Sequence, residues 1–174
     1  VTPAGEIATG WPADGLSVCA TASPWATPLI ADDGVGGAII VWDDSRSAGA
    51  GQGPPGIYAL RITGDGAVAD GWPTSGVGVR HPSDCFAMDL AAPIVGDGNG
   101  GAIVGIRSYP VSGGPHGCPT SFSSVHAHHV SGAGVADWST TFSEFGTISF
   151  PNIAADVAGG VILTLWSRVS IPPY

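Results

Sequence analysis

One motif occurs three times in this chain, and its repetition restricts the fold more than any other feature of the sequence. Each copy begins with proline, reaches an aspartate that precedes a Gly-Gly pair by three residues, and ends in an apolar run of strand length. The copies occupy residues 28–42, 93–104 and 151–163, and their aspartates are Asp33, Asp97 and Asp156. These aspartates are 64 and 59 residues apart. A period of this size is typical of a repeat architecture.

A second motif alternates with the first and has the same period. It occupies residues 2–12 and 63–73, with a shorter copy at 131–138. The tryptophans that mark it, Trp11, Trp72 and Trp138, are 61 and 66 residues apart. Two independent markers therefore predict one repeating unit of about sixty residues.

Each unit is predicted to contain four short strands and no long helix. In the first full unit the strands are expected at residues 28–31, 38–42 and 56–62, with a fourth that surrounds the Gly-Trp-Pro motif at 71–73 and ends at Val79. Aromatic, branched and apolar residues favour extended backbone, and Gly and Asp favour the turns between strands. Four antiparallel strands in each repeated unit are typical of the blade of a β-propeller.

We therefore predict an all-β fold of β-propeller-type repeats, with four-stranded antiparallel blades and about three blades' worth of sequence in a single repeat domain. The boundaries are a half blade at 1–19, blades at 20–79 and 80–146, and a half blade at 147–174. Known propellers usually have four or more blades. The chain is expected to belong to a longer protein or to assemble with copies or partners, and we favour the first because terminal repeats need caps.

The same stretches resemble the repeat units of bacterial extracytoplasmic β-propeller-type proteins. Those units contain a G-G-A-I-V-x-W-x-D-x-R run, then I-Y-A-x-R, then W-P and a later cysteine. The corresponding stretches of this chain are residues 36–46, 57–61, 72–73 and 11–19. The similarity is best over residues 1–80 and weakens later, where Arg107 and Ser108 replace the Trp/Asp/Arg run and residues 125–129 replace Ile-Tyr-Ala-Leu-Arg. The resemblance implies an exported scaffold or adhesion module and brings no catalytic residues.

The charge balance excludes two classes of partner. The chain has 14 acidic residues and five Arg or Lys residues, all of them Arg, which gives a formal net charge of −9. Nucleic-acid binders need a basic surface, and a peripheral anchor on anionic lipid needs a Lys/Arg cluster. Apolar runs such as residues 38–42 are far shorter than the roughly 20 residues of a membrane-spanning helix. We expect no nucleic-acid partner and no membrane insertion.

The three cysteines favour an exported protein. In blade geometry Cys85 lies in a loop that joins a fourth strand to the next first strand, and Cys118 lies in a loop that joins strands two and three. These loops emerge on the same face, so we predict a Cys85–Cys118 disulfide, with Cys19 left over or paired outside this chain. Three unpaired thiols are the alternative. Because disulfides persist outside the cytoplasm, we expect the periplasm, the cell surface or secretion.

Three histidines raise the question of a metal site. His126 and His128 alternate on one strand face and His129 lies on the other, so the first two imidazoles could share a metal ion. They occupy the strand positions of Tyr58 and Leu60 in the first full unit, however. We therefore prefer to interpret them as ordinary blade side chains.

The repeated aspartates raise the same question for calcium. Asp33, Asp97 and Asp156 could be calcium ligands, but the further carboxylates and the closing Glu of an EF-hand are missing. Aspartate before a Gly-Gly turn more often bonds the hairpin backbone. We assign these three residues as structural turn residues and predict no cofactor, with calcium as the alternative.

The sequence predicts a binding role without catalysis. It contains no G-x-S-x-G, H-E-x-x-H or P-loop pattern. Four aromatic residues outside the repeated pattern are the interaction candidates, in or near the loops of the Cys85/Cys118 face: Trp25, Phe86, Tyr109 and Phe122. Loops on a rigid scaffold are where recognition usually occurs. We expect a scaffold subunit that contacts other proteins, within a large membrane-associated complex; the alternative is a glycan-binding module that uses Trp25.

Overall fold

The computed structural model describes residues 1–19, 27–44, 46, 56–80, 86–110, 124–143, 147–156 and 158–168. Within these ranges the chain forms ten strands and no helix, so the described part has no helical segment of the length and apolarity that a bilayer crossing requires. All strand pairs are antiparallel. The predicted all-β class is therefore confirmed.

The strands follow one another in sheets without crossovers. They are β1 (Leu29–Asp32), β2 (Ala38–Asp44), β3 (Gly56–Ile62), β4 (Val77–Arg80), β5 (Phe86–Gly96), β6 (Ala102–Pro110), β7 (Ser124–Val130), β8 (Ala136–Ser143), β9 (Thr147–Ala155) and β10 (Val161–Arg168). The first four strands form one sheet and the next four form a second, each in sequence order. The strands β9 and β10 form a third sheet, and no sheet closes on itself in the described part of the chain.

The Gly-Trp-Pro segment differs from its prediction. Residues 71–73 lie in turns, and the fourth strand begins only at Val77, so the expectation that this strand surrounds the motif is wrong. The cause is local: the Trp72 N–H donates to the Ala69 carbonyl at 3.1 Å, and the Gly76 N–H donates to the Pro73 carbonyl at 2.8 Å. Two consecutive turns thus use the backbone groups that a strand would need.

The N-terminal segment repeats that turn geometry. The Trp11 N–H donates to the Ala8 carbonyl at 3.1 Å, and the Gly15 N–H donates to the Pro12 carbonyl at 3.0 Å. Residues 1–19 contain turns and no strand. Trp11, together with Leu16 and Val18, packs against the core of the first sheet.

Consecutive sheets pack against each other. Strand β1 contacts β5, and β5 contacts β9, so the first strands of the three sheets lie side by side. Ile39 and Val41, which alternation places on one face of β2, share a buried core with Val104 of β6. Ile103 lies on the opposite face of β6 and shares a second core with Ile153 of β9. Burying each such side chain stabilises the stack by about 1.5–3 kcal/mol.

Glycine allows the turns of the first two units to approach closely. Gly34 has a φ of +74°, and a Cβ at this position would lie 2.4 Å from the Gly98 Cα. Beside it the Gly100 N–H donates to the Asp33 carbonyl at 2.8 Å. Glycine is therefore required at position 34 for two reasons: its backbone is in the left-handed region, and a side chain would collide with Gly98.

Two tryptophans connect one unit to the next. The indole Nε1 of Trp11 donates to the Gly64 carbonyl at 3.0 Å, and that of Trp72 donates to the Gly132 carbonyl at 2.9 Å. The ring of Trp72 also covers Gly134, where a Cβ would lie 3.2 Å from the indole. The second motif thus packs between units. Trp138 differs, because it lies in β8 and stacks on His129 with ring centroids 5.4 Å apart.

Candidate functional site

The three repeated aspartates organise the turn that joins the first two strands of each sheet. In every copy one carboxylate oxygen, Oδ1, accepts hydrogen bonds from the backbone N–H groups two and four residues later. Their lengths are 2.9 and 2.7 Å for Asp33, 2.7 and 2.9 Å for Asp97, and 2.7 and 2.8 Å for Asp156. Aspartate therefore shapes these turns by bonding its own backbone.

The second oxygen of two of these aspartates binds a basic side chain from the third strand. Arg61 of β3 donates from Nε to Asp33 Oδ2 at 2.8 Å, and Nε2 of His129 in β7 lies 3.0 Å from Asp97 Oδ2. Burial alone would raise the pKa of Asp33, but the hydrogen bonds from Arg61, Val35 and Gly37 outweigh it and lower the pKa. We call this arrangement, one turn aspartate with one third-strand base, the turn pair.

His129 is held between two carboxylates. Its Nδ1 lies 2.5 Å from Asp137 Oδ1, opposite the contact with Asp97. Burial alone would lower the pKa of His129, but these two contacts outweigh burial and raise it. The imidazolium form is thereby favoured, and His129 has the same place beside the turn aspartate of the second sheet that Arg61 has in the first.

The repeated sequence motifs alone do not identify the basic members of the turn pairs. A signal was present: Arg61 and His129 each stand two residues before the residue that opens the second motif, Thr63 or Ser131. The contact with the turn aspartate depends on the strand register, which places Arg61 opposite Ile39 and His129 opposite Ile103.

A second buried network surrounds Asp44. Its carboxylate accepts from the Trp42 Nε1 at 2.9 Å, from the Arg46 N–H at 2.8 Å and from the Arg46 guanidinium, and the Cys19 Sγ lies 3.1 Å away. Burial alone would raise the pKa of Asp44, but the hydrogen bonds from Arg46, Trp42 and Cys19 hold it well below its usual range. The guanidinium also lies 3.5 Å above the ring centre of Tyr58. Within the Trp-x-Asp-x-Arg motif, Asp44 and Arg46 thus form an ion pair in the core.

His126, one of the two histidines considered as an alternative metal site, forms hydrogen bonds within the sheet. Nε2 of His126 lies 2.7 Å from Ser124 Oγ, and its Nδ1 lies 2.9 Å from Thr141 Oγ1. The rings of His126 and His128 are 6.0 Å apart on the same face. Among the residues that the structure describes, no three His, Cys, Asp or Glu side chains converge as a metal site.

Acid is expected to destabilise the fold through His126. Burial, the charge of Arg80 and the neighbouring His128 lower the pKa of His126 to about 4. The unfolded chain therefore binds a proton at higher pH than the folded chain does. We expect the free energy of unfolding to fall by up to about 3 kcal/mol as the pH decreases from about 6.5 to about 4.

Urea unfolding measured across this pH range tests the role of His126. His126→Gln keeps a hydrogen-bonding side chain and should remove most of the acid-dependent loss. His129→Gln is the matched control, because the raised pKa of His129 gives stability that is present below about pH 6.5 and lost as the pH rises. Retention of the full acid-dependent loss in His126→Gln would contradict this assignment.

Two of the four interaction candidates and both cysteines of the predicted disulfide fall outside the described residues. Trp25, Phe122, Cys85 and Cys118 lie there, so the proposed loop surface and disulfide stay predictions. Phe86 is the first residue of β5. The structure places Tyr109 in β6, half-buried, with the Arg107 guanidinium 4.6 Å above its ring centre.

The chain matches no known protein family, no curated protein and no solved structure.

Proposed function

We propose that this protein is a non-enzymatic scaffold or binding protein of β-propeller type that acts outside the cytoplasm by contacting other proteins. Two four-stranded sheets in sequence order, with their first strands side by side, support the propeller arrangement. Successive blades of a propeller have this relation. The repeat similarity to exported scaffolds supports the location.

The internal use of ionisable groups favours a structural role over catalysis. The carboxylates of Asp33, Asp44 and Asp97 all bond basic side chains of the chain itself. Catalytic acids and bases must instead face a substrate with a hydrogen-bonding position available. The described polar clusters therefore serve the stack of sheets.

The observation that carries the proposal is the exposure of an apolar position in the third described sheet. Ile39 and Ile103 occupy the same position in the first two sheets, and both are fully buried. Their counterpart in β10, Ile162, is 62% exposed. At the other end of the stack, Ile30 of β1 is 68% exposed. Apolar positions of the kind that pack between sheets are thus exposed on the first and third sheets of the described residues, and exposed apolar surface of this kind suits contact with protein.

The native particle provides the test. We expect native mass spectrometry with light scattering to find the chain in a stable complex with other polypeptides. Ile162→Asp should release the chain from that complex, because it places a charge in the buried contact. Val135→Asp is the matched control, because Val135 is 54% exposed in a turn and should leave the complex intact.

Two results would contradict this function. A stable monomer of 17.3 kDa without any partner would argue against a scaffold. Binding of the isolated chain to immobilised glycans, undiminished by Ile162→Asp, would instead support the glycan-binding alternative.

A further inference from the structure

One imidazole in the second sheet contacts two carboxylates that belong to different elements. Nε2 of His129 in β7 lies 3.0 Å from Asp97, in the turn between β5 and β6, and its Nδ1 lies 2.5 Å from Asp137 in β8. An ionised carboxylate only accepts hydrogen bonds, so both ring nitrogens have to donate. Because only the imidazolium form has two N–H groups, the two contacts together require the protonated ring.

Strand β8 supplies two neighbours of this imidazole. The register of β7 and β8 pairs His129 with Trp138 and Val130 with Ala136, which leaves Asp137 between them without an opposite residue. Such a β-bulge redirects side chains, and here it accompanies the contact of Asp137 with the ring. The Trp138 indole stacks on the imidazole with the ring planes 9° apart, an arrangement that favours a cationic ring.

The first unit has a different arrangement at the same place. The position that corresponds to Asp137 is occupied by Ala69, since each stands six residues after the residue that opens the second motif. The base there is Arg61, which bonds Asp33 and whose guanidinium does not deprotonate in proteins. Of the two four-stranded sheets, the second therefore has the titratable base and the additional carboxylate.

The strands packed against β7 bring no further charge to His129 within the part of the chain that the structure describes. Strand β6 contributes Arg107, which pairs with Val125, four residues before the imidazole. Strand β4 contributes Arg80, whose charge acts on His126, and alternation puts that side chain on the opposite face of β7. The sequence of β9 contains no titratable residue. The two aspartates thus control the protonation of this ring.

We propose that His129 is a proton-dependent link that holds strand β8 to the β5–β6 turn and releases Asp137 when the imidazole loses its proton. The neutral ring has one N–H group and can donate to one carboxylate only. Asp97 retains that hydrogen bond, because its side chain is 8% exposed and is fixed by two backbone N–H groups of its turn. Asp137 is 42% exposed, so water can hydrate it after release.

The direction of the pH dependence follows from the raised pKa of His129. The link is complete below about pH 6.5, the ordinary value for histidine, and it is lost as the pH rises through the raised pKa of the folded chain. We therefore expect the first residues of β8, 136–138, to loosen on the alkaline side of this transition, whereas the effect of His126 appears in acid.

NMR titration and amide hydrogen exchange on the full chain test the link. The ring proton resonances of His129 report its protonation, and exchange rates corrected for the intrinsic effect of pH report protection at residues 136–138. We expect this protection to fall about twofold to fivefold as His129 loses its proton, the value of a partly exposed ion pair. Asp137→Asn should lower the proton affinity of His129 by a similar factor. It should also make the protection independent of the titration, because an amide can accept from the ring or donate to it.

Asp70→Asn is the matched control, because it removes an exposed carboxylate from the corresponding stretch of the first unit. It should leave the titration of His129 and the protection of residues 136–138 unchanged. Protection that stays constant while His129 titrates would overturn the proposal. So would an equal pH-dependent fall in Asp137→Asn, or an unchanged proton affinity of His129 in that variant.

Discussion

Replacing Asp44 with alanine is expected to lower the free energy of unfolding by about 3–5 kcal/mol. The ion pair with Arg46 is buried, with side-chain exposures of 3% for Arg46 and 0% for Asp44. Alanine leaves the guanidinium without its carboxylate in a core position, and it also removes the acceptor of the Trp42 indole. Urea unfolding followed by tryptophan fluorescence and circular dichroism measures the loss.

Two variants separate the ion pair from a general effect of charge. Asp70→Ala removes an exposed carboxylate and should change stability by less than about 0.5 kcal/mol. The double variant Asp44→Leu/Arg46→Met should recover much of the loss, because apolar side chains of similar volume replace buried ion pairs at little cost. A loss in Asp44→Ala as small as that in Asp70→Ala would contradict the assigned network.

Truncation of Trp72 to alanine is expected to cost about 3–5 kcal/mol and to uncouple the first two sheets. The indole is 5% exposed, and it donates to Gly132 in the next unit while its ring covers Gly134. Trp72→Phe keeps much of the apolar contact but loses the hydrogen bond to Gly132. We expect the loss of that hydrogen bond to lower the free energy of unfolding by about 1–2 kcal/mol, in addition to the effect of the smaller ring, and the total to be less than for alanine. Calorimetry should show a lower and broader transition for the alanine variant.

Trp138 provides the matched control for this experiment. It belongs to the same sequence motif, but it is 39% exposed and stacks on His129 within its own sheet. Trp138→Ala should therefore cost less than about 1.5 kcal/mol, the value of an aromatic pair. Equal losses at the two positions would mean that Trp72 does not connect the units.

The sequence predicts the turns best, because their bonds are local. Each turn aspartate bonds N–H groups two and four residues away, so the Asp-x-x-Gly-Gly pattern is enough to place it. The second and third strands of the first unit follow from the apolar runs between turns, and β3 has the predicted bounds. The fourth strand was predicted too long because tryptophan and valine suggested a strand where proline and glycine form turns.

The candidate sites were only partly predictable, because their partners are distant in sequence. Cys19 reaches Asp44 from 25 residues away, and no motif in the sequence indicates that contact. The sequence predicts His126 as an ordinary strand residue, with a metal ligand as the alternative, yet burial between Ser124 and Thr141 makes it acid-sensitive. Burial depends on neighbouring strands, and a single strand's pattern does not reveal it.

By itself, the sequence determined the repeat, the all-β class and the position of each Asp-x-x-Gly-Gly turn, since these depend on backbone preferences over a few residues. Only the tertiary structure decided which strand carries the partner of each turn aspartate and which carbonyl receives each tryptophan. Those contacts join residues 28 to 60 positions apart, such as Asp33 with Arg61 and Trp72 with Gly132. They exist because strand register and sheet stacking bring distant segments within hydrogen-bonding distance, and that geometry belongs to the assembled sheets.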